Sequence, residues 1–153
     1  MDLINVSGTI LINNDVTTVF DFFANPANDA LWRKEINKSE VAGPLQEGVT
    51  VAEYAYLSKR TPNNLLELTC VQFIPNDSAV FETPGHSMFY LKSQRSVRSA
   101  ADHATTVDYQ LEFDKSIVAF AVGVSLPRLI ISWKANRDLK KYLQQLKKCL
   151  ESV

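Results

Sequence analysis

Three polar side chains on or beside apolar segments could do chemistry in this chain: Arg95, Tyr109 and His86. A guanidinium binds carboxylates and enolates bidentately, and a buried tyrosine hydroxyl requires a polar partner. A histidine beside a cavity can move a proton when its ring reaches the substrate. These residue types suggest either recognition of a ligand that has one polar group or enolate chemistry on a bound substrate.

Arg95 supports two interpretations, because strand alternation places it on the same inward face as Leu91 and Val97. An unpaired buried charge is very costly, so an inward arginine needs an anionic partner. In the first interpretation the partner is a ligand oxyanion. In the second, which is favoured, Arg95 pairs with Glu82 or Glu53 or points to water from a bulge.

The other predicted ligand-binding residues are aromatic or aliphatic and are expected to line an internal cavity. For Trp32, packing of neighbouring short helices is the favoured alternative, and for Trp133 a plain core position is equally supported. No catalytic residue can be assigned from the sequence. The full predicted ligand-binding set is Phe20, Trp32, Tyr56, Arg95, Tyr109, Leu129 and Trp133.

Composition indicates an ordinary globular chain and excludes several classes of protein. The 153 residues are 46% hydrophobic and 22% charged, with a formal net charge of -1, which suits one domain over residues 1–153. Cys70 and Cys149 lie far apart, so a disulfide framework is not expected. No secretory signal is visible, and we expect a cytoplasmic protein.

The motifs that hold metals, nucleotides or nucleic acids are missing from the sequence. There is no cysteine or histidine pair at zinc spacing, no phosphate-binding glycine loop and no nucleophile elbow. No ordered run of aromatic and basic residues suggests a nucleic-acid platform. We therefore expect no metal, no cofactor and no nucleic acid partner.

The apolar stretch over residues 117–133 is the only candidate for a membrane segment, and it is too short and too interrupted to span a bilayer. We therefore predict no stable membrane insertion. The favoured interpretation is a buried linker followed by the cavity-facing start of a helix. The alternative is an apolar lip that contacts a bilayer or a second subunit, and a homodimer stays open.

Hydrophobic periodicity predicts the elements that must position these residues. Residues 3–13 alternate as a half-buried strand, and residues 16–23 repeat at helical spacing before Pro26 opens a second short helix. Turn residues separate six further strands, predicted at 35–41, 49–59, 65–74, 79–83, 87–99 and 105–114. A long helix over residues 127–151 has a leucine stripe and a net charge of +5, from seven basic and two acidic residues.

Several short motifs, taken in order, resemble the polyketide cyclase/dehydrase-like branch of the START-like (SRPBCC) superfamily. The opening strand is followed by a helix pair and then by Trp32, and Asn25 stands where the family usually has aspartate. Further similar segments are Cys70-Val71-Gln72-Phe73-Ile74-Pro75, Ala104-Thr105 and the end of the last helix, Leu143 to Glu151. The likeness covers nearly the whole chain, although each motif alone is weak.

The resemblance implies an α+β helix-grip fold. In it, a seven-stranded antiparallel sheet wraps around a long C-terminal helix, with two short helices after the first strand. It implies binding or carriage of an apolar small molecule, such as a lipid, polyketide or isoprenoid, in an internal cavity. A non-catalytic binding protein is the leading expectation. The alternatives are a cyclase/dehydratase-like enzyme, in which His86 or Glu82 would move a proton, and a protein-interaction domain.

Overall fold

A computed structural model describes residues 1–152 as one curved sheet with a long helix laid along it. The strands are β1 (Leu3–Ile12), β2 (Ile36–Val41), β3 (Thr50–Ala55), β4 (Asn64–Ile74), β5 (Ser78–Glu82), β6 (Leu91–Ala101) and β7 (Ala104–Asp114). The helices are α1 (Val16–Phe23), a 3-10 helix (Pro26–Leu31), α2 (Ser116–Val122) and α3 (Arg128–Glu151).

The sheet is antiparallel throughout and has the order β1-β7-β6-β5-β4-β3-β2. In the register of the sheet, Tyr109 of β7 lies between Gly8 of β1 on one side and Arg95 of β6 on the other, so these three residues share one inward-facing row. Because side chains alternate between faces, this row faces the helices while Gln94 and Gln110 face outward. The inward parity expected for Arg95 and Tyr109 is therefore confirmed.

Capping residues define the beginnings of the two helices that follow β1. The Asp15 side chain accepts a hydrogen bond from the Thr18 backbone N–H, 2.8 Å away, and caps α1. Asn25 accepts from the Ala27 backbone N–H in the same way, and Pro26 occupies the first turn of the 3-10 helix. These helices cover the end of the sheet where β1 finishes, and we call this region, with the C-terminal half of α3, the closed end.

Helix α3 packs on β1 through its leucine stripe. Leu139, Leu143, Leu146 and Leu150 are all buried in the core. A Cβ atom built on Gly8 would lie 2.6 Å from Leu139 Cδ2 and 2.9 Å from Leu143 Cδ1. Glycine therefore allows the close approach of α3 to the centre of β1.

The predicted architecture is confirmed, with four differences in detail. The second short helix is a 3-10 helix, β3 ends at Ala55, and β6 begins at Leu91. Residues 117–124 are not a buried linker, because they form most of α2 and expose Phe120, Val122 and Val124. Helix α2 is capped by the next residue, Gly123, whose φ of 83° is a left-handed conformation that glycine adopts without strain.

Candidate functional site

The most buried polar feature of the molecule is an ion pair between Arg95 and Asp29. Arg95 Nη1 lies 2.8 Å from Asp29 Oδ1, and Arg95 Nη2 lies 2.6 Å from Asp29 Oδ2, which is a bidentate arrangement. Arg95 Nη1 also donates to the Phe23 carbonyl oxygen at 2.9 Å. Asp29 is 0% exposed and Arg95 is 2% exposed, so water screens this pair very little.

Four aromatic rings surround the Arg95 guanidinium. Its central carbon lies 5.4 Å to 5.9 Å from the ring centroids of Phe23, Trp32, Phe81 and Tyr109. Aromatic faces attract cations within about 6 Å. The rings therefore replace part of the hydration that Arg95 loses when it is buried.

A second arginine extends the network to three carboxylates. Arg33 Nη1 lies 3.1 Å from Asp29 Oδ2 and 3.0 Å from Glu53 Oε2. Arg33 Nε lies 2.9 Å from Glu35 Oε1, close enough for an ion pair but outside hydrogen-bond geometry. Two cations thus meet three carboxyl groups at the closed end of the interior.

Burial shifts the proton equilibria of this network. Loss of water raises the pKa of Glu53, and the charges of Asp29 and Glu35 raise it further against the opposing effect of Arg33. Burial also raises the pKa of Tyr109. Burial raises the pKa of Tyr142 as well, and the charge of Glu35 raises it further. The charge of Arg33 opposes the rise in pKa of both Glu53 and Tyr109.

Two polar atoms beside this network are buried without a hydrogen-bond partner among residues 1–152. They are the Tyr109 hydroxyl and Trp32 Nε1, and the two rings lie edge to face with centroids 5.5 Å apart. A buried donor without a partner costs free energy, so each unpartnered atom calls for an explanation. Both are hydrogen-bond donors beside the ion network that no group of residues 1–152 satisfies.

An apolar groove lies at the opposite end of the sheet, which we call the open end. The open end comprises residues 83–90, helix α2 and residues 128–133 of α3. The groove has a volume of about 280 Å³, and its walls are residues 64–67, 84, 86–89 and 120. Phe89 and Phe120, both on its wall, pack against each other with ring centroids 5.2 Å apart and ring planes tilted by 51°. His86 and Glu67 are its titratable wall residues.

The groove is connected to the buried ion network through one pair of strand residues. Leu66 is a groove wall residue and lies directly opposite Glu53 in the β3–β4 register. Glu53 in turn binds Arg33. The groove therefore ends one side chain away from the charged interior, and its inner wall is apolar.

A second depression of about 290 Å³ lies on the outer face of the sheet. Its walls include Asn5, Ser7, Gln94, Gln110 and Glu112, which are strand residues directed away from the helices. A wall of amides, a hydroxyl and a carboxylate does not suit an apolar ligand. Of these two cavities, only the open-end groove combines apolar walls with an aromatic pair.

The predicted ligand-binding residues do not form one site in this structure. Phe20 and Trp32 are buried in the core, where Phe20 packs on Phe73 with ring centroids 5.6 Å apart. Tyr56 is half exposed just beyond β3. Tyr109 lies in the interior, as its parity predicts.

Leu129 and Trp133 do not line the interior, in contrast to the prediction. They are 85% and 62% exposed. The residues that face the sheet are Ile131 and Leu139, on the other side of α3. With 3.6 residues per turn, Leu129 and Trp133 lie one above the other on the face opposite Ile131. The first turns of α3 are apolar on both faces, so periodicity could not identify the inner one.

Arg95 takes the structural role, but its partner is Asp29 rather than Glu82 or Glu53. A ligand oxyanion would have to displace Asp29 in order to reach it. Sequence reasoning missed Asp29 and Arg33. Their four-residue spacing was a weak signal, because Arg33 lies beyond the end of the 3-10 helix at Leu31 and the pair is therefore not a helical repeat.

The comparisons with known proteins support the fold. No protein-family model and no curated protein matches the sequence. A START superfamily protein from Mycobacterium smegmatis superposes with a TM-score of 0.75 at 12% identity, covering 97% of each chain. A conserved protein from Geobacillus kaustophilus gives 0.73 at 10% identity, covering 97% of this chain and 96% of that one.

An aromatase/cyclase, Zhui from Streptomyces sp. R1128, is a third similar structure. Its TM-score is 0.67 at 12% identity, and the match covers 95% of this chain and 94% of the other. The chain therefore has the START-like helix-grip fold, which it shares with START superfamily proteins and with an aromatase/cyclase. Within residues 1–152, none of the helices is long and apolar enough to cross a membrane.

Proposed function

We propose that this protein binds an apolar small molecule in the open-end groove. The observation that carries the proposal is the apolar cleft of about 280 Å³ with the Phe89–Phe120 pair on its wall. That volume is just below the usual range for ligand pockets, which begins at about 300 Å³, so the ligand, or the part of it that is enclosed, is small. A lipid, polyketide or isoprenoid would place one apolar segment there.

The structure of the open end supports this assignment over a site at the closed end. Met88 is 79% exposed at the groove rim, and Leu65 on the groove wall is 49% exposed. Covering such surfaces with a ligand removes apolar area from water, which stabilises the complex by roughly 25 cal/mol per Å² before association costs. At the closed end, in contrast, Arg95 and Asp29 already satisfy each other.

Native mass spectrometry of freshly purified protein tests the proposal. The wild type is expected to carry an apolar passenger, identified after denaturation, and Leu65→Asp is expected to lose it because a carboxylate enters the groove wall. Leu11→Asp is the matched control, since Leu11 is 48% exposed on the outer face of β1, far from the groove.

The same experiment can contradict the proposal. Equal occupancy in Leu65→Asp and Leu11→Asp would place the passenger elsewhere. To separate an empty groove from a ligand lost on purification, both variants are titrated with N-phenylnaphthylamine, a neutral apolar dye. Absence of any difference in dye affinity between the two variants contradicts binding in the groove.

A cyclase/dehydratase-like reaction is the second candidate, because His86 and Glu67 both belong to the groove wall. An imidazole beside a bound diketone could remove an acidic α-proton and return it elsewhere on the substrate. Proton exchange of an aromatic diketone in deuterium oxide, followed by NMR, tests this. His86→Gln is expected to abolish protein-dependent exchange while dye binding stays unchanged, and equal exchange in both proteins contradicts the enzymatic role.

A further inference from the structure

The outward face of α3 combines protruding apolar residues with a basic stripe. Leu129, Ile130 and Trp133 are exposed on its first two turns. They are followed by five exposed basic residues, namely Lys134, Arg137, Lys140, Lys141 and Lys148. Leu129 to Lys148 spans about 28 Å of helix, at 1.5 Å per residue.

The charge on this face is one-sided. Helix α3 has seven basic and two acidic residues, a net charge of +5 in a chain whose total is -1, so the rest of the chain carries -6. The two acidic residues, Asp138 and Glu151, are only partly exposed and each pairs with a lysine of the same helix. Lys140, Lys141 and Lys148 form no ion pair within residues 1–152.

The apolar and basic parts form one continuous surface. The Arg137 guanidinium lies 4.7 Å from the Trp133 ring centroid. This contact joins the apolar tip, formed by Leu129, Ile130 and Trp133, to the basic stripe. Phe120 and Val124 expose further apolar area at the open end. Helix α3 is held at this end by Arg128, which binds Asp2 and the Leu3 carbonyl oxygen, so the exposed residues are presented on a fixed helix.

We propose that this face docks the protein on an anionic lipid bilayer. Tryptophan, leucine and isoleucine side chains that protrude from a helix insert at the boundary of head groups and acyl chains. Basic side chains next to them are attracted to anionic head groups. A bilayer accommodates a convex, protruding surface, whereas a protein partner would have to present an acidic groove of matching shape.

Docking at this face is a property separate from ligand binding, and it has a consequence for the groove. Because the groove and the apolar tip both belong to the open end, docking would bring the groove to the surface of the bilayer. An apolar ligand could then exchange between bilayer and groove with a short path through water. Docking itself requires only the α3 face, so the two proposals can fail separately.

Vesicle flotation measures the docking directly. Vesicles of phosphatidylcholine alone are compared with vesicles that also contain phosphatidylserine. The wild type is expected to bind the anionic vesicles at least about tenfold more strongly and to lose the difference at high salt. Lipids brominated on their acyl chains are expected to quench fluorescence from Trp133 and not from the buried Trp32, a signal that Trp133→Phe removes.

Two variant pairs divide the proposal into its parts. The double variant Leu129→Asp with Trp133→Asp removes the apolar side chains that would insert into the bilayer. The double variant Lys140→Glu with Lys141→Glu removes the attraction to anionic head groups. Each double variant is expected to weaken vesicle binding at least about tenfold. The matched charge control is Lys38→Glu with Arg98→Glu, at two exposed positions on the sheet, and it is expected to bind nearly like the wild type. Circular dichroism confirms that each variant is folded.

Several results would overturn the proposal. Equal binding to both vesicle types removes the charge argument, and equal weakening by the control pair shows that only net charge matters. A dimer that Leu129→Asp dissociates, seen by sedimentation equilibrium, assigns this face to a second copy of the chain instead. Leu65→Asp is expected to keep vesicle binding, so loss of the groove ligand and loss of docking remain distinguishable.

Discussion

The two ends of the molecule differ in how they treat apolar and charged side chains. At the closed end, Arg95 and Asp29 are buried among four aromatic rings, and the leucines of α3 are packed on β1. At the open end, Leu129, Trp133 and Met88 are exposed on a helix and a loop. Helix α3 belongs to both ends: its C-terminal half buries the leucine stripe on β1, whereas its first turns bury Ile131 but leave Leu129 and Trp133 exposed.

This difference indicates which part of the molecule maintains the fold and which part is free to bind. The closed end resists change because its charges are paired inside the protein and its packing is dense. The open end contributes little packing and exposes apolar area, which is typical of a binding surface. Substitutions at the closed end should therefore lower the stability of the fold, whereas substitutions at the open end should weaken binding and leave stability nearly unchanged.

Asp29→Asn should produce the largest loss of stability. It leaves Arg95 and Arg33 without their shared carboxylate inside the protein. Breaking a buried ion pair by removing one partner costs roughly 3–5 kcal/mol. Urea unfolding measures the change. The control is Asp138→Asn, which breaks a more exposed pair with Lys134 and is expected to cost less than about 1 kcal/mol. Equal losses would show that the buried network does not stabilise the fold.

Leu143→Ala and Leu129→Ala compare the two halves of α3 directly. Leu143 is buried against β1, so its truncation is expected to lower the free energy of unfolding by roughly 2–5 kcal/mol. Leu129 contacts mainly solvent, and its truncation is expected to change that value by less than about 0.5 kcal/mol. Thermal unfolding of both variants tests this, and a comparable loss for Leu129→Ala would mean that the first turns of α3 are packed after all.

Gly8→Ala tests the close approach of α3 to β1. The added methyl group would lie within 3 Å of Leu139 Cδ2 and Leu143 Cδ1, so these two buried side chains would have to shift. We expect a loss of about 1–2 kcal/mol. Gly43→Ala is the matched control because a Cβ there meets no atom within 4 Å. A stability difference of zero between the two variants would contradict the tight contact.

The pH dependence of stability should report on Glu53, with the smallest effect. Burial raises its pKa above the ordinary 4.5, so the folded protein binds this proton more tightly than the unfolded chain. The resulting stabilisation is complete below that ordinary pKa and is lost as the pH rises through the raised value. Glu53→Gln cannot titrate, so its stability relative to the wild type should increase with pH. Parallel curves from urea unfolding across this window would exclude Glu53 as the titrating group.

Strand alternation and the leucine stripe were sufficient to predict the seven strands and α3 in their order along the chain, and the inner faces of β6 and β7. Those signals depend on repeated choices along each strand, as for Val107, Tyr109 and Phe113. The resemblance to the START-like superfamily added the way in which the sheet and α3 combine. The comparison of solved structures bears out that fold.

The site was harder to predict, because it depends on contacts between distant residues. Asp29 and Arg95 are 66 positions apart, and the 3-10 helix that carries Asp29 is oriented only by tertiary packing. Helix α2 was missed because its sequence is apolar on every side, which gives no period to detect. The exposure of Leu129 and Trp133 could not be predicted for the same reason.

Hydrogen–deuterium exchange with and without N-phenylnaphthylamine tests the central claim most directly, because it compares the two ends in one measurement. Binding in the groove predicts slower exchange in residues 64–67, 83–90 and 116–122, with no change around Asp29, Arg95 and Tyr109. Slower exchange confined to the closed end, or no change anywhere under conditions where the dye binds, would contradict the assignment of the open-end groove as the ligand site.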